Sequence, residues 1–114
     1  MKLYGIPNCN TVKTARTWLE SHQQAYEFHD FKKQGVPEAN LKQWLENLGW
    51  ETVVNKRGTT WRKLDAATQA QVVDNASALP VLLANPSLIK RPVLETETVL
   101  WAGFNESQYE SLLK

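Results

Sequence analysis

Cysteine is almost absent from this chain: Cys9 is the only one in 114 residues. A lone thiol closes no internal disulfide, which excludes a disulfide-stapled secreted scaffold. Histidine is nearly as scarce. His22 and His29 lie apart with no paired ligand spacing, so no metal site is expected and both read as structural or surface residues. There is no excess of charge either. Thirteen basic residues face twelve acidic ones for a net charge of +1, giving no bulk attraction to nucleic acid or an anionic membrane. No apolar run approaches the ~18 residues of a spanning helix. The opening MKLYGIPNCN lacks the apolar stretch of a signal peptide. The expectation is a cytoplasmic protein with neither nucleic acid nor membrane among its partners. Repeats and low-complexity tracts are missing, and the sequon at Asn105-Glu106-Ser107 carries no meaning without export.

What is present is the composition of an ordinary soluble globule, 42% apolar and 22% charged, at a length suited to one domain with a single core. Residues 2–6 (KLYGI) form a short β run ended by Pro7, and Asn8 or Asn10 is the expected cap of the helix that follows. In that helix Val12, Ala15 and Leu19 make one apolar stripe. Residues 25–31 (AYEFHDF) alternate as a second strand, completing a βαβ unit with parallel strands. After Gly35-Val36-Pro37 a helix carries Leu41, Trp44, Leu45 and Leu48, stopped by Gly49.

Residues 53–64 (VVNKRGTTWRKL) read as a basic loop plus a helical turn capped by Thr59 or Thr60. Helices follow at about 66–74 and 78–84, the second capped by Ser77 with Pro80 in its first turn, and Asn85-Pro86 ends it. Residues 91–95 and 98–103 read as an antiparallel hairpin. Asn105 and Gln108 open a last helix with Tyr109, Leu112 and Leu113. The predicted fold is α/β: a mixed four-stranded sheet from about 1–31 and 89–114, with a helical block inserted at about 32–88. The five tryptophans mostly fall at positions that look like core.

Cys9 stands between two asparagines where a strand hands over to a helix. Free backbone N–H groups and the helix dipole stabilise a thiolate there. Such places lower a thiol pKa from about 8.5 to roughly 3.5–7.5. Lys13 and Arg16, four and seven residues on, fall on the Cys9 side of the helix and are expected to add positive charge.

The stretches "YGIPNCNTVKTARTWLE", "RGTTWRKL", "NPSLIKRPVL" and "GFNES" resemble the ArsC/Spx family of thioredoxin-like proteins, and the likeness spans essentially the whole chain. That family holds glutaredoxin-like arsenate reductases, Spx-type regulators and YffB-type proteins, and the wording here is nearest the YffB type. The resemblance implies a thioredoxin/glutaredoxin-like fold with Cys9 as nucleophile. It implies that Arg91 binds oxyanion or glutathione, and that Pro92 is cis beside the thiol, exposing a backbone edge for a peptide or glutathione. Arg57 lies where a basic residue serves the site in some members, although the reductases' arginine aligns nearer Asn55. Asn10, Thr11 and Lys13 join Arg91, Pro92 and Arg57 as candidate binding residues. Two departures matter. The Cys-x-x-Cys switch of the Spx type is broken by Val12, and an arginine of the arsenate reductases falls near Gly103. That glycine would leave room for a larger partner.

These readings imply a thiol oxidoreductase that borrows its second thiol from glutathione, with arsenate reduction as a variant. Glutathione is then a co-substrate with no tightly bound cofactor, the acceptor is a disulfide or an oxyanion, and the protein is a monomer. The other reading is a non-enzymatic adaptor, similar to Spx-type regulators that bind RNA polymerase, with "NKRGTTWRK" as a basic, Trp-containing segment for a protein partner or nucleic acid.

Overall fold

A turn decides where the first helix begins. In the computed structural model, which describes residues 1–113, strand β1 (Lys2–Gly5) runs into Ile6-Pro7-Asn8-Cys9. The Cys9 N–H closes that turn on the Ile6 carbonyl at 3.3 Å. Pro7 sits at the second turn position, which suits its fixed φ, and Asn8 at the third. Helix α1 (Asn10–Ser21) therefore has Cys9 itself as its N-cap, not Asn8 or Asn10. Val12, Ala15, Trp18 and Leu19 are its buried face.

The chain divides into two compact units, residues Met1–Gly35 with the segment from Arg91 onward, and residues Val36–Lys90. In the first unit, α1 is followed by β2 (Glu27–Asp30), shorter than the alternation of 25–31 suggests because Phe31 already belongs to α2 (Phe31–Gln34). Asp30 terminates the strand and caps that helix, accepting from the Lys32 N–H at 2.8 Å. Later come β3 (Val93–Glu95), β4 (Leu100–Ala102) and a short last helix. The sheet order is β2-β1-β3-β4, with β1 and β2 parallel and the β1–β3 and β3–β4 pairs antiparallel. This is the mixed four-stranded sheet expected. Leu3 and Leu94 of the sheet pack with Ala15, Trp18 and Leu19 of α1 and with Tyr109. Tyr109 lies on α8 (Glu106–Leu112), whose N-cap is Asn105, accepting from the Gln108 N–H at 3.2 Å.

The second unit is helical. It holds α3 (Glu38–Leu48), α4 (Trp50–Val53), α5 (Thr59–Lys63), α6 (Ala66–Gln71), α7 (Asn75–Ala84) and a 3-10 turn at Pro86–Leu88. Leu41, Trp44 and Leu45 are buried as the apolar spacing requires, and Gly49 ends α3 at φ 83°, a conformation that favours glycine. Three expected boundaries differ. Gly58, not Thr59 or Thr60, precedes α5. Helix α6 is shorter than 66–74, and α7 starts at Asn75 because Asp74 caps it. Asp74 accepts from the Ser77 N–H at 2.8 Å while Ser77 Oγ accepts from the Asp74 N–H at 3.0 Å. Ser77 is thus the third residue of a capping box rather than the cap. That earlier start leaves Pro80 inside the helix rather than in its first turn. Of the tryptophans only Trp18 and Trp44 are buried; Trp50, Trp61 and Trp101 are half-exposed, contrary to the expectation that most are core. No helix among the described residues is long and apolar enough to cross a membrane.

Candidate active site

The sheet order places the two ends of the chain at the thiol. Strand β3 runs antiparallel to β1, pairing Tyr4 with Val93, so the residues entering β3 lie beside the residues leaving β1. Leaving β1 is the turn to Cys9. Entering β3 are Arg91 and Pro92, joined by a cis peptide bond as the resemblance implied. Pro92 is buried, and its carbonyl accepts from the Gly103 N–H at 2.8 Å.

Cys9 is half-buried at the N-cap with extended backbone, φ −98° and ψ 127°. Its carbonyl accepts the first helical bond, from Lys13 N–H at 2.9 Å. The thiol makes no cap hydrogen bond of ordinary length. A thiolate at this place gains what the thiol lacks. Burial alone would raise the pKa. The Val12 N–H, then the Arg91 guanidinium by hydrogen bond and by charge, then the Thr11 N–H, outweigh burial and leave Cys9 below its ordinary value. The physical cause is stabilisation of negative charge by oriented N–H dipoles and one fixed cation. The thiolate that these groups favour is the form of a cysteine that attacks disulfides.

Of the residues singled out in the sequence, Cys9, Thr11 and Arg91 come together here, with Pro92 bonded to Arg91. Asn10 is exposed as the first residue of α1, its carbonyl accepting from Thr14 Oγ1 at 3.0 Å. Lys13 is not among the groups that lower the Cys9 pKa; it lines a groove of about 470 Å³ with Thr17, Trp18, His22, Phe104 and Glu106. Arg16 also departs from expectation. Its Nε donates to the Tyr26 hydroxyl at 3.0 Å and its guanidinium lies 4.2 Å from the Phe28 ring centre, so β2 has captured it. Arg57 belongs to the second unit, where its N–H donates to Asn55 Oδ1 at 3.2 Å. Gly103 is buried at φ 93°, so the backbone itself calls for glycine there. His22 stacks on Trp18 at 3.9 Å and His29 packs 5.0 Å from Tyr4, both in structural contacts. The largest lowering influence, the Val12 backbone N–H, was missed because Val12 reads as core. Its place three residues after the N-cap was the available signal.

A βαβ–ββα sheet with a thiol of lowered pKa at its first helix defines a thioredoxin-like protein. The sequence matches the ArsC family over residues 4–112, and the chain belongs to that family. Among solved structures it is similar to the protein YFFB, at 48% identity and a TM-score of 0.94, covering 99% of this chain and 98% of that one. It is also similar to an arsenate reductase (ArsC) related protein from Brucella melitensis, at 47% identity and a TM-score of 0.76, covering 99% and 93%. A global transcriptional regulator Spx of Streptococcus agalactiae shares 30% identity over 97% of this chain and 81% of its own.

Proposed function

We propose that this ArsC-family protein is a glutathione-dependent thiol oxidoreductase of the cytoplasm. The observation that carries this reading is the meeting of Cys9 with the Arg91 guanidinium and the Val12 and Thr11 N–H groups, which favours a thiolate. In the first step the Cys9 thiolate attacks the glutathione sulfur of a mixed disulfide. The disulfide breaks, Cys9 becomes joined to glutathione, and the substrate leaves as a thiolate that takes a proton from water. In the second step the thiolate of another glutathione attacks the glutathione sulfur on Cys9, releasing oxidised glutathione and the Cys9 thiolate. The incoming glutathione thiol is oxidised to the disulfide level as the substrate sulfur is reduced to a thiol, while the glutathione sulfur of the mixed disulfide stays at the disulfide level throughout. The chain must use an outside thiol because it has no second cysteine. Arg91 holds the sulfur's charge each time the disulfide is cut.

Incubation with oxidised glutathione tests this. One glutathione should be added to the wild type and none to Cys9→Ser, and excess reduced glutathione should remove it. A folded wild type that stays unmodified, while the unfolded chain accepts glutathione, would overturn the reading. The likeness to Spx favours a second reading, a regulator that binds a protein partner without turnover. Partner binding would then survive Cys9→Ser. Arsenate serves as one further acceptor in the same assay, with Gly103 standing where the resemblance calls for an arginine.

A further inference from the structure

The second unit holds a concentration of positive charge beyond the groups that lower the Cys9 pKa. Val54 and Ile89 form an isolated antiparallel bridge, flanked by the Asn55 N–H to Leu88 carbonyl bond at 2.8 Å and the Lys90 N–H to Val53 carbonyl bond at 2.8 Å. These bonds fix two chain segments side by side. Lys56 and Arg57 leave from one segment and Lys90 from the other. Together with Glu51, Thr52, Val54 and Asn55 they line a hollow of about 450 Å³. Pockets of roughly 300–1,000 Å³ are the size that small molecules occupy.

The basic side is held in shape. Asn55 Oδ1 accepts from the Arg57 N–H at 3.2 Å, and the Arg57 carbonyl accepts from Arg62 Nη2 at 2.8 Å. Gly58 approaches so closely that a Cβ there would meet Asn55 Nδ2 at 3.0 Å. Lys56 Nζ rests between two half-exposed indoles, 4.7 Å from the Trp50 ring centre and 5.3 Å from that of Trp61. Such contacts limit where a long, flexible ammonium can go. Three cations line the hollow against one carboxylate. None of Glu51, Lys56, Arg57 and Lys90 makes an ion pair among the described residues. Like charges gathered round one hollow without carboxylate partners repel, and a multiply charged anion relieves that repulsion.

We propose that this hollow is a binding site for a small polyanion, a molecule carrying two or more phosphate or carboxylate charges, and that it acts independently of Cys9. Lys56 and Lys90 supply point charges from opposite segments. Arg57 supplies a planar fork that fits an oxyanion through paired hydrogen bonds.

The test uses the full chain with inorganic pyrophosphate and, separately, citrate, which distinguish phosphate from carboxylate chemistry. Titrations run at about 0.15 M salt, where loose attraction between exposed charges is largely screened. Saturable binding of at least one probe is expected, with the indole N–H signals of Trp50 and Trp61 shifting as the Lys56 ammonium is drawn toward the anion. The variant Lys56→Gln/Arg57→Gln should weaken binding about tenfold, and Lys90→Gln about two- to fivefold. Melting curves taken beside the titrations show that both variants remain folded. Cys9→Ser should bind as the wild type does, so failure of the oxidoreductase reading leaves this proposal standing. Three outcomes overturn it: no saturation with either probe, equal weakening by Lys32→Gln/Lys33→Gln in the other unit, or loss of binding in Cys9→Ser.

Discussion

The Arg91 guanidinium lowers the pKa of the Cys9 thiol by hydrogen bond and by charge, although the two residues lie far apart in sequence. Arg91 therefore offsets the cost that burial imposes on a charged sulfur. The rate of Cys9 alkylation should rise with a midpoint below the ~8.5 of free cysteine. In Arg91→Ala two of the lowering influences vanish while burial remains, so the midpoint should move upward. An unchanged midpoint would mean that the guanidinium does not act on the thiolate.

The same shift has a consequence for stability. A folded-state pKa below the unfolded one means that the thiolate stabilises the fold above the unfolded value near ~8.5. That contribution disappears as pH falls through the folded value. The melting temperature of the wild type, measured against Cys9→Ser, should therefore gain as pH rises toward 8.5 and level off beyond it. A difference independent of pH would contradict the assignment.

Gly5 is needed by its neighbour in α1. A Cβ at this position would lie 2.9 Å from Val12 Cγ2, too close for either to remain in place. Gly5→Ala should cost about 1–3 kcal/mol by overpacking. Combining it with Val12→Ala should recover part of that loss, because the two residues are in direct contact. Urea denaturation of the two single variants and the double variant measures the coupling. Strictly additive losses would show that the clash is absorbed elsewhere.

Val12 occupies the place where a resolving thiol would stand in a Cys-x-x-Cys pair. Its side chain is fully buried, at the third position of α1. Val12→Cys should form an internal disulfide with Cys9 when treated with oxidised glutathione. Mass spectrometry should then show a chain lighter by a pair of hydrogens in place of a lasting glutathione adduct. Persistent glutathionylation of this variant would mean that the two sulfurs cannot meet.

The start of α7 provides a pH-dependent test in the second unit. The Ser77 hydroxyl, followed by the Ser77 backbone N–H, holds the Asp74 carboxyl below its ordinary range. The stability it contributes is present above the unfolded value near ~3.9 and is lost as pH falls through the folded value. Asp74→Ala should melt below the wild type at neutral pH, and the gap should close as the solution is taken below pH 4. A gap that persists in acid would assign the loss to helix propensity instead of the cap.

The sequence alone determined the elements whose signals are local. Periodicity placed the stripes of Val12, Ala15 and Leu19 in α1 and of Leu41, Trp44 and Leu45 in α3, and turn chemistry separated β3 from β4. Cys9 could be recognised because a thiol's position at a strand-to-helix junction is itself a local property. Caps were less legible. Asn, Ser and Thr all compete for such places, and at α1 the backbone turn closed by Cys9 decided the boundary. Long side chains were least legible. Arg16 has the right spacing to approach Cys9, yet Tyr26 just before β2 offers it a hydrogen bond and Phe28 in β2 an aromatic face. The family resemblance pointed to Arg91 and Pro92, but the physical reason that they reach the thiol lies in the tertiary structure. Strand β3 lies antiparallel beside β1, so the residues that enter one are neighbours of the residues that leave the other. No periodicity records that relation, because it arises from sheet hydrogen bonds between segments distant in sequence.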